Sequence, residues 1–211
     1  IIIDNFSSDN TMEIISSIHD ERIKYYKLQN HDIIARSRNY GFTKASGELI
    51  AFIDSDDIWE SKKLEHQIPH LQKVFLVSSN FKPIGDIQES SKYIKSNINE
   101  IYQDYDYEGV SQGNPVITSS VLMRRDVFLN TKGFDESDVF KFIEDYELWL
   151  RIAKLGIIRI LSEPLVKYRI YNKKNRDETD VMIRVLKIFD KHQELGLLST
   201  QNSMKARGNQ Y

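Results

Sequence analysis

Short apolar segments alternate with helix-length segments through the first 80 residues of the chain. The run Ile1-Ile2-Ile3 is wholly apolar and β-branched, which is typical of a strand buried in a parallel sheet. Similar runs occur at 23–28, 49–53 and 74–78, and the segments between them are long enough for helices. Strands that are joined by helices need right-handed crossovers, which make neighbouring strands parallel. The alternation therefore predicts an α/β fold with a mostly parallel central sheet flanked by helices.

The remaining secondary structure is predicted from the same periodicities. Helices are predicted at 33–45, 62–73, 144–155 and 177–195. Further strands are predicted at 116–123, 157–161 and 165–171. The polar, tyrosine-containing region 83–115 is predicted to form long loops with at most one short helix, and the polar residues 199–211 are predicted to fray.

The composition argues against several classes of protein. The formal net charge is −2, from 29 Lys and Arg against 31 Asp and Glu, which argues against a dedicated nucleic-acid binder. There is no cysteine, so any metal ion would need ligands from Asp, Glu, His or backbone oxygen. The longest apolar runs are far shorter than the roughly 20 residues that cross a membrane. A length of 211 residues suits one domain with at most a small appendage.

Three carboxylates follow the predicted strand 49–53 within four positions. Asp54, Asp56 and Asp57 would repel one another unless a cation or hydrogen-bond donors compensate their charge. Ligands of open α/β sheets gather at the carboxyl ends of strands, where Mg²⁺ or Mn²⁺ can join a carboxylate to phosphate oxygens. The spacing leaves two interpretations open: a metal and phosphate site, or a surface turn whose acids cap the next helix.

Acidic side chains also stand at two other ends of predicted elements. Asp4 follows the first strand, where its carboxylate could accept hydrogen bonds from the edge of a nucleobase or simply cap the following helix. Glu144 and Asp145 begin a predicted helix, where the helix macrodipole favours acids. If one of this pair faces a cleft, its carboxylate could serve as a general base.

Four motifs in order make the chain resemble the family 2 glycosyltransferases, which have the GT-A fold. Each motif alone is weak, but their order along residues 1–171 makes the resemblance specific. The first is IDNFSSDNT (3–11), and the second is ARSRNYG (35–41) followed by ASGELIAFIDSDDIW (45–59). The third is TSSVLMRR (118–125) followed by GFDE (133–136) and EDYELWLR (144–151), and the fourth is EPLVKYR (163–169).

The resemblance implies an inverting hexosyl- or hexosaminyltransferase of polysaccharide biosynthesis. Its donor would be a nucleotide-sugar, most often a UDP-sugar, and its acceptor a glycan or another hydroxyl compound. Asp4 would contact the nucleobase, and Arg38 would lie near the nucleotide and its phosphates. Asp54 and Asp56 would form an Asp-any-Asp motif, with Asp56 as the direct ligand of Mn²⁺ or Mg²⁺ and Asp54 reaching the ribose or the metal.

The acceptor side of the reaction is assigned by the same resemblance. Asp145 would be the catalytic base, Glu144 would support its geometry, and Trp59 would border the sugar. Residues 1–80 would be the nucleotide-sugar-binding half, without the family's usual first strand, and 81–176 the acceptor-binding and catalytic half of the same domain. Residues 177–211 would form a C-terminal helix and a polar tail.

The sequence departs from the family pattern at a few positions. Tyr171 stands where many members carry a His near the metal and diphosphate, and His31 and Asp32 stand where many members have Gly. Two alternatives are therefore kept: a catalytically silent member that only binds a nucleotide-sugar, and a phosphatase that uses Asp54 as nucleophile and Asp56 as acid. Because activated sugars are cytosolic, we expect a cytoplasmic protein, at most associated with the cytosolic face of a membrane. The oligomeric state is left open.

Overall fold

Strands and helices alternate along the chain, as the sequence predicts. The structure is a computed structural model that describes residues 1–85, 100–171 and 178–198. Its strands are β1 Ile2–Asp4, β2 Tyr25–Lys27, β3 Leu49–Ala51, β4 Ile58–Trp59, β5 Leu76–Gly85, β6 Tyr102–Tyr105, β7 Leu122–Arg124 and β8 Ile158–Ile170. Its α-helices are α1 Thr11–Ser17, α2 Ile34–Lys44, α3 Lys63–Gln67, α4 Tyr107–Ser111, α5 Arg125–Asn130, α6 Glu144–Leu155 and α7 Glu178–Glu194.

The strands form two sheets. β1 and β2 pair in parallel as a two-stranded sheet. The larger sheet has the order β3-β7-β5-β8-β4, with β6 also paired to β8. In it β5 and β8 are parallel, whereas β7 runs antiparallel to β3 and β5, and β8 runs antiparallel to β4 and β6. The predicted α/β fold with helices flanking a central sheet is confirmed, and the pairings make that sheet a mixed one.

The main core lies between the larger sheet and the helices that cover it. α6 buries most of its residues, including Leu148 and Trp149, which are fully inaccessible to solvent. Phe134 packs edge-on against both Trp149 and Phe52. This packing fixes the N-terminal end of α6 relative to the segment that follows β3. In the described part of the chain, no helix combines the length and the apolar character needed to cross a membrane.

Three helix predictions are confirmed, and several other predictions are wrong. The helices at 33–45, 144–155 and 177–195 are present as α2, α6 and α7. The helix predicted at 62–73 changes after α3 into a 3₁₀ turn, Ile68–Gln72, that contains Pro69. The strands predicted at 157–161 and 165–171 are one strand, β8. Residues 199–211 lie outside the described part of the chain.

The regions 83–115 and 116–123 differ most from expectation. Where long loops with at most one short helix were predicted, the short helix is present as α4, but β5 continues to Gly85 and β6 is a further strand. Residues 86–99 lie outside the described part of the chain. The carboxylate of Asp106 caps α4 by accepting the N–H of Gly109 at 2.9 Å. Where a strand was predicted, Thr118–Ser120 forms a 3₁₀ turn, and β7 begins only at Leu122. The side chains of the turn bond to residues distant in the sequence, which include Asp57 and Asp145.

Candidate active site

The turn Thr118–Ser120, called the 118–120 turn below, connects carboxylates from two separate parts of the chain. The Thr118 hydroxyl donates to Oδ2 of Asp145 at 2.9 Å. The Ser119 hydroxyl donates to Oδ2 of Asp57 at 2.6 Å and accepts the backbone N–H of Asp54 at 3.0 Å. The turn therefore joins the acids that follow β3 to the acid at the start of α6.

The three acids after β3 have different partners. Asp57 is buried, and its second oxygen accepts the backbone N–H of Arg169 at 2.8 Å. Burial raises the pKa of Asp57, and these two hydrogen bonds oppose that shift. Asp54 pairs with Arg38 at 2.9 Å. Asp56 is partly exposed, and its carboxylate hydrogen-bonds the hydroxyl of Tyr171. Protein donors thus compensate Asp54 and Asp57, and Asp56 is the acid best placed for an external partner.

Arg38 joins the acids of β3 to those of α6. Its Nη1 lies 2.6 Å from Oε1 of Glu144, and its Nη2 lies 2.9 Å from Oδ1 of Asp54. Its side chain is 11% exposed and stacks over the ring of Phe134 at 5.3 Å. The guanidinium therefore balances two carboxylates from within the protein, rather than presenting an open fork to solvent.

Asp145 accepts hydrogen bonds at both of its carboxylate oxygens. Its Oδ2 accepts the Thr118 hydroxyl, and its Oδ1 accepts the N–H of Tyr146 at 2.7 Å. Burial raises the pKa of Asp145, while Arg38 and Thr118 oppose the shift. The pKa of the adjacent Glu144 is raised by burial and by Asp145. Oε2 of Glu144 is buried and has no hydrogen-bond partner.

The phenol of Tyr168 marks the place where these acids meet. Burial first, and then the charges of Asp57, Asp54, Asp145 and Asp56, raise the pKa of Tyr168 to about 12. Arg38 and the 118–120 turn bring Asp54 together with Asp145, and Asp56 lies two positions after Asp54. We call the space around Tyr168 that is bordered by Asp54, Asp56 and Asp145 the acid crevice.

Asp4 has partners of its own beside a separate pocket. Its Oδ1 accepts both the N–H and the hydroxyl of Ser7, and its Oδ2 accepts the hydroxyl of Tyr25 at 2.5 Å. These hydrogen bonds, that of the Ser7 hydroxyl first, lower the pKa of Asp4. The hydrogen bonds of Asp4 therefore belong to the end of β1 and not to the acid crevice.

The pocket beside Asp4 lies at the carboxyl ends of β1 and β2. It has a volume of about 580 Å³ and is lined by Asn5, Phe6, Gln29, His31 and Asp32. Phe6, His31 and Asp32 have positive φ angles of 59°, 52° and 60°. Backbone of this kind is costly outside glycine and concentrates at functional sites. His31 and Asp32 thus adopt the left-handed backbone conformation that glycine accommodates most easily, although neither residue is glycine.

α2 connects this pocket to the acid crevice. Nδ2 of Asn30 donates to the hydroxyl of Ser37 at 2.9 Å, and Oδ1 of Asn5 accepts the backbone N–H of Asn30 at 3.0 Å. The next residue of α2 is Arg38, whose guanidinium enters the acid crevice. A ligand long enough to occupy both places would therefore run along the start of this helix.

Trp59 serves the packing of the site. Its indole N–H donates to the carbonyl oxygen of Ser119 at 2.6 Å, and its ring lies 4.2 Å from Nζ of Lys63.

In the residues that the structure describes, no three His, Asp or Glu side chains group to hold a metal ion by themselves. The donor set suits a cation that Asp56 shares with substrate phosphates, which is how Mg²⁺ is usually bound, and not a cage made by protein alone.

Several residues of this site have no role that the sequence alone predicts. Thr118, Ser119 and Tyr168 were identified only as parts of motifs, and Lys63 only as part of a helix. The available signal was the run of three hydroxyl side chains at 118–120, which is out of place in a strand predicted to be buried.

Comparisons with known proteins agree with this geometry. The model of the family described as Glycosyl transferase family 2 matches residues 1–130. Two Escherichia coli proteins are similar in sequence: WfaP, a UDP-Glc:alpha-D-GlcNAc-diphosphoundecaprenol beta-1,3-glucosyltransferase, is 33% identical over 74% of this chain and 59% of its own length. WfgD, which has the same activity in its name, is 31% identical over 81% of this chain and 64% of its own length.

Two solved structures share the fold. S. aureus TarS in complex with UDP-GlcNAc superposes with a TM-score of 0.70 and 16% identity, over 97% of this chain and 60% of that one. The mannosyltransferase PcManGT from Pyrobaculum calidifontis, in complex with GDP-Man and Mn²⁺, gives a TM-score of 0.58 over 99% of this chain and 62% of that one. The chain thus spans about three-fifths of the length of these four proteins, and the predicted GT-A fold is confirmed.

Proposed function

Because the chain belongs to glycosyl transferase family 2, we propose that it transfers a sugar from a UDP-sugar to an acceptor hydroxyl with inversion at the anomeric carbon. The observation that carries this proposal is that Arg38 and the 118–120 turn bring Asp54, two positions before Asp56, together with Asp145. The names of WfaP and WfgD support UDP-glucose as the donor and a diphosphate-linked lipid sugar as the acceptor. Since the sugar of UDP-glucose is α-linked, a β-linked product is the result of inversion.

The nucleotide and the sugar would occupy neighbouring places. We assign the uracil to the pocket of Asn5, Phe6, Gln29, His31 and Asp32, with Asp4 at its edge. Oδ1 and Oδ2 of Asp4 already accept hydrogen bonds, but a carboxylate has about four acceptor positions, so an imide N–H can still bind there. The diphosphate would then extend past the start of α2 towards Asp54 and Asp56. In this arrangement residues 1–80 hold the donor and 81–176 hold the acceptor and the base.

Asp145 would act as the general base. The acceptor oxygen forms its bond to the anomeric carbon as its proton passes to the carboxylate of Asp145. The bond between that carbon and the diphosphate oxygen breaks, and its electron pair leaves with UDP. Burial raises the pKa of Asp145 and so increases its affinity for a proton, while Thr118 and Arg38 favour the ionised form before reaction. The Thr118 hydroxyl and the N–H of Tyr146 would hold this carboxylate in place, and Glu144 would support the geometry through its ion pair with Arg38.

A divalent cation fits the site as a partner of Asp56 and the donor diphosphate. When bound, Mn²⁺ or Mg²⁺ would neutralise the charge that develops on the departing UDP. Tyr171 hydrogen-bonds Asp56 where many family members have a His. A phenol is a poorer ligand for these ions than an imidazole, so Asp56 would be the principal protein ligand.

The binding part of the proposal is tested by thermal unfolding of the 211-residue chain with UDP, with and without Mn²⁺. A ligand that binds the native state raises the melting temperature, and we expect UDP with Mn²⁺ to do so. Asp56→Ala should abolish the contribution of Mn²⁺. Asp126→Asn, on the exposed face of α5, is the matched surface control and should leave both shifts unchanged. If UDP has no effect on the wild type at millimolar concentration, the proposed donor is wrong.

The catalytic part is tested with Asp145→Asn in the same chain. We expect this variant to keep the thermal shift with UDP and to lose at least about 10²-fold in the release of UDP from UDP-glucose in the presence of acceptor. Full turnover by Asp145→Asn would refute the assignment of the base. Binding of UDP by a wild type that neither transfers nor hydrolyses any UDP-sugar would favour a catalytically silent member.

A further inference from the structure

Lys63 is a buried lysine that pairs with no carboxylate in the described part of the chain. It lies in α3 and is only 1% exposed. Its ammonium donates to Oε1 of Gln67 at 2.8 Å and to the carbonyl oxygen of Val121 at 3.4 Å. It also lies 4.2 Å from the ring of Trp59. Burial lowers the pKa of Lys63 to about 7, and no charged group among the described residues opposes this shift.

The partners of Lys63 bind the backbone of the 118–120 turn. Nε2 of Gln67 donates to the carbonyl oxygen of Ser120 at 2.7 Å, and the indole of Trp59 donates to that of Ser119 at 2.6 Å. Together with the contact of Lys63 to Val121, three consecutive carbonyl groups are bound. The side chains of the same turn bind Asp57 and Asp145. The turn is thus held by its carbonyl groups, and its Thr118 and Ser119 hydroxyl groups bind the acids, whereas the Ser120 hydroxyl bonds Ser78 and the carbonyl oxygen of Ile117.

We propose that Lys63 is a positioning residue for the general base, because with Gln67 it fixes the backbone of the 118–120 turn and thereby sets the position of Asp145. The proposal rests on the proposed function, since its consequence is measured as a rate of transfer. Lys63 does not touch the substrate. It acts through Gln67, Val121 and the turn, whose Thr118 hydroxyl is bonded to Asp145.

Stability does not account for a lysine at this position. A charged amine that is removed from water without an opposite charge is costly, and an apolar side chain of similar length usually fits such a place at least as well. Methionine would fill the same space beside Trp59 without that cost. A residue that is retained for positioning should therefore behave oppositely in two assays: its replacement should preserve or raise stability and lower the rate.

The test compares Lys63→Met with Lys62→Met, the same substitution at the exposed neighbouring position. For Lys63→Met we expect a melting temperature equal to or above that of the wild type, a dissociation constant for UDP within about twofold, and a kcat lowered at least about tenfold, as small misplacements of a catalytic group cause. Amide hydrogen exchange of the peptide that contains 118–121 should be faster. Lys62→Met should match the wild type in all four measurements.

The results separate this proposal from the proposed function. A wild type without transferase activity contradicts the proposed function, and the exchange of residues 118–121 then decides the role of Lys63 alone. If Lys63→Met keeps its kcat within about twofold, or loses activity without faster exchange at the turn, the positioning role is refuted. If Lys63→Met does not fold, the expected gain or preservation of stability is contradicted. The second variant is then Lys63→Gln, which keeps an N–H donor. The proposal stands only if Lys63→Gln folds and has the reduced kcat.

Discussion

Removing the guanidinium of Arg38 should destabilise the protein in a way that depends on pH. Arg38 is 11% exposed and pairs with Glu144, whose side chain is 7% exposed. Replacement by methionine leaves the carboxylate of Glu144 buried without its partner. Breaking a buried ion pair on one side costs about 3–5 kcal/mol. Asp54, the second partner, is 32% exposed and can regain water, so we expect the lower end, about 3 kcal/mol at pH 8.

The pH dependence follows from the pKa of Glu144. Burial and Asp145 already raise this pKa, and Arg38 lowers it, so the variant raises it further. A carboxyl group whose pKa is higher in the folded state stabilises the fold at pH values below its unfolded pKa of 4.5, and that stability is lost as pH rises through the folded pKa. The defect of Arg38→Met should therefore shrink to about 1 kcal/mol near pH 5, the cost of the lost stacking on Phe134.

Urea unfolding followed by tryptophan fluorescence at pH 8 and pH 5 measures both effects. The matched control is Arg22→Met, because Arg22 pairs with Asp20 while 91% exposed. An exposed pair of this kind contributes at most about 1 kcal/mol, and its removal should be nearly independent of pH in this range. If Arg38→Met destabilises no more than the control, or by the same amount at both pH values, the charge balance inferred for the acid crevice is incorrect.

Other expectations concern the backbone before α6 and one buried acid. Lys132 has a φ of 62° just after α5, so Lys132→Gly should raise the free energy of unfolding by about 0.5–1 kcal/mol. Gly133→Ala should lower it by at least about 2 kcal/mol, because φ is +75° and the new Cβ would lie 2.6 Å from Oδ1 of Asn39; urea unfolding measures both. Burial would raise the pKa of Glu147, but basic neighbours that include Arg151 lower it to about 2. Ionised Glu147 therefore stabilises the folded protein above pH 4.5, the pKa of the unfolded chain, and this contribution is lost as the pH falls towards 2. Glu147→Gln should therefore reduce the loss of stability between pH 5 and pH 2 by about 3 kcal/mol, and an unchanged acid-unfolding profile would contradict this.

The sequence predicts the elements whose pattern is local. α6 is found because its apolar side chains recur at helical spacing, and the packing of Leu148 and Trp149 agrees with that pattern. β6 is missed because its residues are largely exposed and its position depends on pairing with β8, more than 50 residues away in the chain. The length of β8 is also set by its partner, since β5 pairs with it through two register shifts. Non-local pairing of this kind leaves little trace in a window of ten residues.

The candidate site also combines residues that local motifs identify with contacts that only the folded chain creates. The motifs identify Asp54, Asp56 and Asp145, and the structure brings these acids to one crevice. They do not reveal that Asp57 is compensated by Ser119 and by the backbone of Arg169, because those partners lie 62 and 112 positions away. A sequence containing three neighbouring acids therefore suggests three equivalent ligands. In the folded chain, Arg38 pairs with Asp54, and Ser119 and the backbone of Arg169 bind Asp57, whereas Asp56 is the acid that we propose for the cation.

The charge balance of the acid crevice has a consequence for the order of events in transfer. Arg38 is shared between Asp54, on the side assigned to the donor, and Glu144, beside the base. A cation held at Asp56 would also attract the carboxylate of Asp54, and any weakening of the bond between Asp54 and Arg38 would leave that guanidinium more fully to Glu144 and Asp145. A nearer positive charge lowers the pKa of a carboxylate. Donor binding should therefore favour the ionised form of Asp145, so that the base is ready to accept a proton only when a sugar is present to be transferred.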